Sequence, residues 1–350
     1  MNPLASLILP PLSAVYSVVT RARISGYQRG WFSVAKLAAP VISVGNLTTG
    51  GTGKTPLVEW VCIAVARETG KNACVLTRGY GRTNPQSQVV VSDGNKVLAS
   101  EREAGDEAYL LAQNLLGIAS VVSNPDRLAA GEWAIKNLGS EVFVLDDGFQ
   151  HLRLARDLDI VTLDATNPWG GGTLLPYGRL REPRVGLSRA DCIVVTRTEQ
   201  VEDAVSLIES VQQLAGAIPV VTSRMTASGI RSLNGQRVNN ESLLAQPLAA
   251  FCGVGNPESF FNQLRQEGYT PVFTRAFADH HDYSQADLNG LIKEAKAHGA
   301  SGLITTAKDA IKLASLELEL PCYVLEIKIS IADDHRLLNM IRTACQSREG

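Results

Sequence analysis

Histidine, paired cysteines and a surplus of either charge are what this sequence lacks, and each lack excludes a class of protein. Five histidines in 350 residues leave little material for a histidine-rich metal site. The six cysteines are scattered without a C-x-x-C pair, which indicates reduced core residues of a cytosolic protein and not a disulfide or zinc framework. With 33 basic and 35 acidic residues and a formal net charge of −2, the composition does not favour a nucleic-acid partner.

Long apolar runs are also missing. The most apolar stretch, residues 4–19, is interrupted by Pro10 and Pro11 and is shorter than the roughly 20 residues of a membrane-spanning helix. No basic residue precedes it, which argues against a signal peptide. From Pro11 onward the pattern predicts a helix that ends near Gly26. One face of that helix is apolar and carries Leu12, Val15, Tyr16 and Val19.

Basic and aromatic side chains lie in and just after this N-terminal segment, which we define as residues 1–35. They are Arg21, Arg23, Arg29, Lys36, Tyr27, Trp31 and Phe32. Beside an apolar stripe they are typical of a helix that lies in a membrane interface. A helix packed against its own domain is the alternative that the pattern leaves open.

A phosphate-binding loop is predicted in residues 41–58, between a β-branched strand and a helix. The residues that we expect to bind the nucleotide are Gly50, Gly51, Thr52, Gly53, Lys54 and Thr55. Glycines let backbone N–H groups converge on phosphate oxygens, and the helix N-terminus adds a partial positive charge. Lys54 would reach the β- and γ-phosphates, and Thr55 would offer its hydroxyl to Mg²⁺.

The loop departs from the G-x-x-x-x-G-K-[ST] pattern because Thr48 stands at the position of the first glycine. An ordinary glycine-rich turn before a helix is therefore the alternative. A second motif favours the P-loop: four apolar residues, 142–145, lead into Asp146 and Asp147. This Walker B pattern supplies a magnesium ligand at the end of a neighbouring strand, although an acidic turn after a strand would look the same. The spacing does not decide which aspartate would bind the metal.

Short apolar runs alternate with helical patterns along the chain. Strands are predicted near 73–77, 89–91, 120–122, 142–145, 160–163, 192–195 and 220–222, with helices near 106–114 and 127–137. This rhythm predicts an α/β fold, a P-loop NTPase-like, doubly wound and mostly parallel sheet, over residues 36–225. A linker or hairpin is predicted at 226–245 and a second, smaller α/β domain at 246–350, with strands near 271–274, 302–305 and 322–327. We expect the binding site in the cleft between the two.

Two polar loops follow predicted strands, where an open α/β sheet binds its ligand. Residues 77–82 carry Arg78 and Tyr80 on a glycine-flanked turn, which suits a phosphorylated or sugar-like ligand because arginine binds phosphate in a bidentate way. An ordinary solvated turn explains the same residues. The second loop, 148–157, follows the Walker B aspartates directly.

Asp106 and a histidine cluster are the candidates for proton transfer. Asp106 opens a predicted helix, where capping is its ordinary role and general base catalysis is the alternative. The cluster Asp279-His-His-Asp282 lacks the further ligands of a phosphohydrolase metal site. Its functional interpretation is a histidine that orients a catalytic carboxylate, and its structural interpretation is a surface loop.

Together these motifs resemble the tetraacyldisaccharide 4′-kinase family, the lipid A 4′-kinases of Gram-negative bacteria. The similarity covers most of the chain, in order. It includes residues 11–16, the loop at 44–56, 77–81, Gly105-Asp-Glu107, Asp146-Asp-Gly-Phe-Gln-His151, 174–176, 180–183, 279–281 and Lys308-Asp309. Asp-Asp-Gly-Phe-Gln-His joined to this P-loop is highly specific.

The resemblance implies ATP-dependent phosphorylation, with Mg²⁺, of the 4′-hydroxyl of a lipid A disaccharide 1-phosphate precursor. It implies that Asp106 is the base and is paired with His280, that Lys54 and Thr55 keep their P-loop roles, and that Asp146 and Asp147 flank the metal and phosphates. The positions that match the family's substrate and active-site residues are Arg78, Tyr80, Glu107, Arg127, Gln150, His151, Arg181 and Glu182. The N-terminal helix matches a membrane-associating segment. We therefore expect a peripheral, monomeric protein at the cytoplasmic face of the inner membrane.

Two departures from the family pattern lie in the loop at 166–183, where Gly178-Arg179 replaces Gly-Pro and Gly171-Gly172 replaces Gly-Asn.

Two other functional classes are alternatives to a lipid kinase. A switch GTPase or metallochaperone-type NTPase is disfavoured, because Thr49 stands where that group carries lysine and no Asn-Lys-x-Asp motif is present. A soluble small-molecule kinase, with its N-terminal helix packed on its own core, is the other alternative.

Overall fold

The computed structural model describes residues 3–347 and confirms the predicted α/β fold class. The strands of this part of the chain are β1 (Val41–Asn46), β2 (Ala73–Thr77), β3 (Val89–Ser92), β4 (Ala119–Ser123), β5 (Val142–Asp146), β6 (Leu158–Asp164), β7 (Cys192–Thr196), β8 (Val220–Ser232), β9 (Arg237–Val238), β10 (Leu248–Cys252), β11 (Phe273–Ala276), β12 (Gly302–Thr306) and β13 (Cys322–Ile331). The α-helices are α1 (Pro3–Gln28), α2 (Lys54–Thr69), α3 (Glu101–Ala104), α4 (Asp106–Asn114), α5 (Arg127–Leu138), α6 (Ala204–Ala215), α7 (Asn240–Leu244), α8 (Pro257–Gln266), α9 (Gln285–Ala297), α10 (Ala307–Leu313) and α11 (Asp334–Gln346). Short 3₁₀ turns span Arg184–Arg189 and Thr198–Gln200.

The strands form one continuous sheet with two halves. The first half has the order β3-β4-β2-β5-β1-β6-β7-β8 and is parallel except for β3 at its edge. The apolar strand residues alternate between its two faces, so α2, α4 and α11 pack on one face while α5 and α6 pack on the other. This is the doubly wound arrangement that the alternating strand and helix patterns predict.

The second half joins the first through a long antiparallel pair. Only Val220–Thr222 of β8 pair with β7, whereas 223–232 extend beyond the first half and pair with β13. Strands β12, β10 and β11 run parallel to β13, so they run opposite to the strands of the first half. The carboxyl ends of both sets of strands therefore face each other across a cleft.

The predicted linker at 226–245 contains the end of β8 and the hairpin to β9. Strand β8 crosses the predicted boundary at residue 225, and both halves belong to a single sheet. The division into segments at 35, 225 and 245 therefore stays a prediction. Helix α11, which that division assigns to the second domain, packs in the core of the first half. Its side chains Leu337, Leu338 and Ile341 lie there against α2.

Helix α1 is longer than predicted. It already begins at Pro3 and continues through Pro10, Pro11 and Gly26 to Gln28, so the predicted start and end were wrong. The two prolines are exposed on the helix surface, where water can satisfy the carbonyls that lose a backbone partner. Gly26 is buried against Phe32, whose Cε2 atom would lie 2.4 Å from a Cβ at this position. The glycine therefore serves close packing and does not end the helix.

Helix α1 docks through polar side chains and leaves its apolar face exposed. Ser13 donates a hydrogen bond to the carbonyl of Leu174 (2.8 Å), and Tyr16 donates one to the carbonyl of Arg181 (2.9 Å). The exposed face, with the exposed fraction of each residue, comprises Leu12 (49%), Val15 (62%), Val18 (67%) and Val19 (60%). Among the helices of residues 3–347, none has the length and apolar character needed to cross a bilayer.

We expect Ile341→Ala in α11 to destabilise the first half of the molecule. Ile341 is completely buried, and truncating such a side chain typically costs about 2–5 kcal/mol. The matched control is Ile63→Ala on α2, because Ile63 is 46% exposed. Denaturant unfolding of both variants measures the difference, and equal effects would contradict the assignment of α11 to this core.

Candidate active site

The glycine-rich loop, for which the sequence predicts phosphate binding, lies between the end of β1 and the start of α2. Gly50 and Gly53 adopt positive φ angles of 108° and 81°. At Gly53 a Cβ would also lie 2.5 Å from the terminal methyl of Met225, which would have to move, and the positive φ disfavours a side chain in any case. Thr48 does not have a positive φ, which explains why the missing first glycine is tolerated. The loop ends on the open N-terminus of α2, which no side chain caps.

Buried hydrogen bonds brace this loop from below. The Asn46 amide donates to the Thr48 carbonyl (2.6 Å) and to the Thr52 hydroxyl (3.0 Å). The Thr52 hydroxyl also lies 2.8 Å from that of Thr162 on β6, and Thr196 on β7 donates to the Thr52 carbonyl at 3.0 Å. Three neighbouring strands therefore fix the loop, which favours a preorganised anion site.

The two aspartates at the end of β5 have different surroundings. Asp147 lies 3.6 Å from the Lys54 ammonium and 2.6 Å from an Arg181 nitrogen. Asp146 accepts a hydrogen bond from the Thr77 hydroxyl at 2.9 Å, and it forms no ion pair with a residue of the described range 3–347.

These surroundings separate the pKa values of the two carboxyl groups. Burial tends to raise the pKa of Asp147, but Lys54 and Arg181 outweigh it and lower the pKa to about 2. Burial raises the pKa of Asp146, and the nearby carboxylates of Glu107 and Asp147 raise it further. Asp147 therefore has two ion-pair partners, whereas the charge of Lys54 and the Thr77 hydrogen bond only partly offset the burial of Asp146.

Asp106 and His280 meet across the cleft, although 174 residues separate them in the sequence. The Nδ1 atom of His280 lies 3.1 and 2.9 Å from the two carboxylate oxygens of Asp106. Asp106 is 3% exposed at the start of α4, and His280 has a left-handed backbone with φ of 60°. The pair fits the predicted partnership of a carboxylate with an imidazole.

Each member of this pair changes the proton affinity of the other. Burial tends to raise the pKa of Asp106, but the hydrogen bond from His280 and the charge of Lys308 lower it well below its usual range. The hydrogen bond to Asp106 raises the pKa of His280 above 6.5, against the opposing effects of burial and Lys308. The two groups therefore titrate as one coupled system.

A cleft of about 710 Å³ between the two halves contains both parts of the site. The predicted residues that line it are the six loop residues 50–55, Tyr80, Glu107, Asp147, Arg181 and His280. Asp106 and Asp146 lie directly behind this surface, through their contacts with His280 and Asp147. His280, rather than Asp106, is thus the member of the pair that lines the cleft.

The remaining predicted residues lie outside the cleft wall, and the structure shows what they contact. Gln150 donates hydrogen bonds to the Asn46 carbonyl (2.9 Å) and to Glu182 (2.8 Å). Glu182 is fully buried and paired with Arg189 at 2.7 Å. Both residues therefore support the end of β1.

Arg127, His151 and Arg78 lie in three different environments. Arg127 is 5% exposed and donates to the carbonyl of Asn124 at 3.1 Å. Burial and neighbouring arginines lower the pKa of His151 to about 4, which makes it a neutral imidazole at neutral pH. Arg78 is exposed, and its guanidinium carbon lies 5.3 Å from the centre of the Tyr80 ring.

Two lysines of α10 belong to the site but received no role from the sequence. The Lys308 ammonium lies 3.2 Å from Glu107, 3.5 Å from Asp279 and 3.2 Å from the Nε2 atom of His280. Lys312, one turn further along the helix, lies 3.0 Å from Asp106. The sequence feature that could have identified these two lysines is their i, i+4 spacing on a helix that directly follows the strand ending at Thr306.

Metal binding would use few protein ligands here. No group of three or more His, Cys, Asp or Glu side chains in residues 3–347 forms a metal site. Thr55 and Asp147 line the cleft beside the loop, and Asp146 lies behind them with its burial only partly offset by the charge of Lys54. This donor set fits Mg²⁺, which binds one or two protein oxygens and completes its shell with waters and phosphate oxygens.

Comparison with known proteins gives a consistent result. A family model described as tetraacyldisaccharide-1-P 4′-kinase matches residues 5–346. The tetraacyldisaccharide 4′-kinase of Geobacter metallireducens is 40% identical over 95% of this chain and 96% of its own length. That of Desulfotalea psychrophila is 37% identical over 93% of this chain and 92% of its own. A crystal structure of LpxK from Aquifex aeolicus in complex with ATP superposes with a TM-score of 0.77 at 31% identity, covering 98% of this chain and 99% of that one.

We expect Asp106→Asn to lower the pKa of His280, because the carboxylate that stabilises the imidazolium is lost while burial and Lys308 remain. Histidine NMR resonances followed against pH measure this shift, with His280→Gln used to assign the signal. His281, whose partner is Asp287 at 3.3 Å, serves as the internal control. An unchanged His280 titration in Asp106→Asn would contradict the pairing.

Proposed function

The chain belongs to the tetraacyldisaccharide-1-P 4′-kinase family, and we propose that the cleft transfers the γ-phosphoryl group of ATP to the 4′-hydroxyl of a tetraacyldisaccharide 1-phosphate, the precursor of lipid A. The observation that supports this proposal is the convergence of two elements in one cleft. The phosphate-binding loop with Lys54 lies on one side, and the Asp106–His280 pair lies on the other.

The loop side of the cleft would hold the triphosphate. Backbone N–H groups of residues 50–55 and the N-terminus of α2 would bind the phosphate oxygens, and Lys54 would neutralise the β- and γ-phosphates. Through its two ion pairs Asp147 would keep Lys54 oriented towards the transferring group and would hold Arg181 in place in the cleft. Phosphoryl transfer depends mainly on such positioning and charge neutralisation.

Mg²⁺ would bind beside Thr55 and the Asp146–Asp147 pair. A divalent cation there would add to the partial compensation that Lys54 gives Asp146 and would neutralise charge on the phosphates. The two aspartates would then have separate roles. Asp147 would hold Lys54 and Arg181, and Asp146 would be stabilised by the charge of the metal.

The Asp106–His280 pair would accept the proton of the sugar hydroxyl. As the hydroxyl oxygen bonds to the γ-phosphorus, its O–H bond breaks and the proton passes to the pair. The bond between the γ-phosphorus and its bridging oxygen breaks, and its electrons leave with ADP. We assign the proton to the pair as a unit, because His280 lines the cleft while Asp106 stabilises the imidazolium from behind.

The exposed Arg78–Tyr80 turn and the cleft residues Glu107 and Arg181 would contact the sugar and its 1-phosphate. Arginine suits a phosphate, and a tyrosine ring suits a sugar face. Arg127, Gln150, His151 and Glu182 would act on the substrate through the loops that they support.

Helix α1 would bring the enzyme to its amphiphilic acceptor. Its exposed valines and the adjacent aromatic residues Trp31 (68% exposed) and Phe32 (48% exposed) form an unpartnered apolar surface. Arg21, Arg23 and Arg29 lie beside it, which suits an anionic lipid surface. We therefore propose peripheral association with the cytoplasmic face of the inner membrane, as a monomer.

Kinase activity is testable with labelled ATP and the disaccharide 1-phosphate acceptor. We expect a monophosphorylated product from the wild type and losses of about 100-fold or more in kcat for Lys54→Met and Asp106→Asn, because charge neutralisation or proton acceptance is removed. Lys96→Met, at an exposed turn, is the matched control. Near-normal turnover of Asp106→Asn at saturating substrate would refute the role of the pair.

Membrane association is testable by sedimentation with vesicles of phosphatidylethanolamine and phosphatidylglycerol. We expect Val18→Asp to weaken vesicle binding about tenfold, because the variant removes an apolar contact and adds a negative charge. Val205→Asp on α6 is the control, since Val205 has the same 67% exposure. Equal binding by both variants would favour the soluble-kinase alternative, in which α1 only packs on its own domain.

A further inference from the structure

Lys312 makes two contacts that connect three parts of the site. Its ammonium lies 3.0 Å from the Oδ2 atom of Asp106 and donates a hydrogen bond to the carbonyl of His281 at 3.1 Å. The Lys312 side chain is 7% exposed and that of Asp106 is 3% exposed. One lysine on α10 therefore holds both the carboxylate at the start of α4 and the loop that carries His280.

The His280 loop needs such support. His280 has a left-handed φ of 60°, which is unfavourable by about 1–2 kcal/mol for a residue with a side chain. Its backbone N–H donates to the Gly253 carbonyl at 3.2 Å, and the next carbonyl, that of His281, accepts from Lys312. The imidazole can meet Asp106 only while this turn is kept.

Lys308 has a different position, although it lies on the same helix. It lines the cleft, contacts Glu107 and Asp279, and lies 4.0 Å from Asp106. Lys312 does not line the cleft, so it has no direct route to either substrate. Any effect of Lys312 on the reaction must therefore act through the Asp106–His280 pair.

We propose that Lys312 is a positioning residue for phosphoryl transfer: its ammonium fixes the carboxylate of Asp106 and the His280 loop, and it keeps the pair ready to accept the proton. This inference rests on the proposed function. The charge of Lys312 favours the ionised carboxylate and disfavours a proton on the pair until the sugar hydroxyl supplies one.

The sign of the pH effect follows from the charges around the pair. The charged or titratable groups that face Asp106, Lys312 or the His280 loop are Glu101, Glu107, Asp279, Asp282, Asp287, Lys308 and His281. Most of them are acidic, so removal of the Lys312 charge leaves the pair in a more negative environment. The pKa of the pair therefore rises, whichever member carries the proton. When the pH is lowered, the unprotonated form that catalysis needs is then lost at a higher pH than in the wild type.

The test is the pH dependence of kcat/KM for Lys312→Met, Lys312→Gln and Lys312→Arg. We expect the acid limb to move upward by about 1–2 pH units in the Met and Gln variants, with at least tenfold lower kcat at neutral pH. Arginine keeps the charge, so its limb should stay near that of the wild type. The matched control is Lys296→Met on α9. Lys296 also forms an ion pair, with its ammonium 2.7 Å from Glu319, but both side chains of that pair are exposed.

A second measurement separates this role from a purely structural one. In an Asp106→Asn background, Lys312→Met should cause little further loss of kcat, because both changes act on one unit. An unshifted acid limb in a folded, ATP-binding Lys312→Met enzyme would overturn the proposal, as would loss of folding in both the Met and Gln variants by circular dichroism. A wild type that binds ATP but does not phosphorylate the acceptor would instead contradict the proposed function.

Discussion

The antiparallel pairing of β8 with β13 is the constraint on which the rest of the structure depends. A parallel α/β sheet presents its ligand-binding residues at the carboxyl ends of its strands. Here the chain extends β8 past the edge of the first half and returns through β13, so the strands of the second half run in the opposite direction. Two such ligand-binding edges therefore face each other, and one cleft can receive loops from both.

Alternating charges organise the cleft that results. On the first edge, Asp147 lies between Lys54 and Arg181, and on the opposite side Asp106 lies between His280 and Lys312. Buried carboxylates are costly without counter-charges, so Asp147 holds Lys54 and Arg181 in place, and Asp106 holds Lys312, as firmly as these cations hold the carboxylates. Lys54 only partly offsets the burial of Asp146, which distinguishes this residue chemically from its neighbour in the sequence.

Local motifs predicted the parts of the site that are continuous in sequence. The P-loop, the Walker B strand and Asp106 at the start of a helix all lie where their patterns placed them. The roles of Gln150 and Glu182 were less accessible, since a polar residue after a strand can either face the ligand or brace a neighbouring strand. Spacing does not distinguish these two cases. Lys312 was missed because an isolated lysine on a short helix has no pattern of its own, and its significance arises from a carboxylate 206 residues away.

The sequence by itself determined the fold class, the glycine-rich loop between β1 and α2, and the family, because these depend on hydrophobic periodicity and on residues that are adjacent along the chain. Only the tertiary structure decided that α11 returns to the first core, that α1 continues through its prolines, and that His280 rather than Asp106 faces the cleft. The physical reason is the same in each case. Packing, solvent access and the distance between charges are properties of neighbours in space, and no local pattern records which distant segments become neighbours.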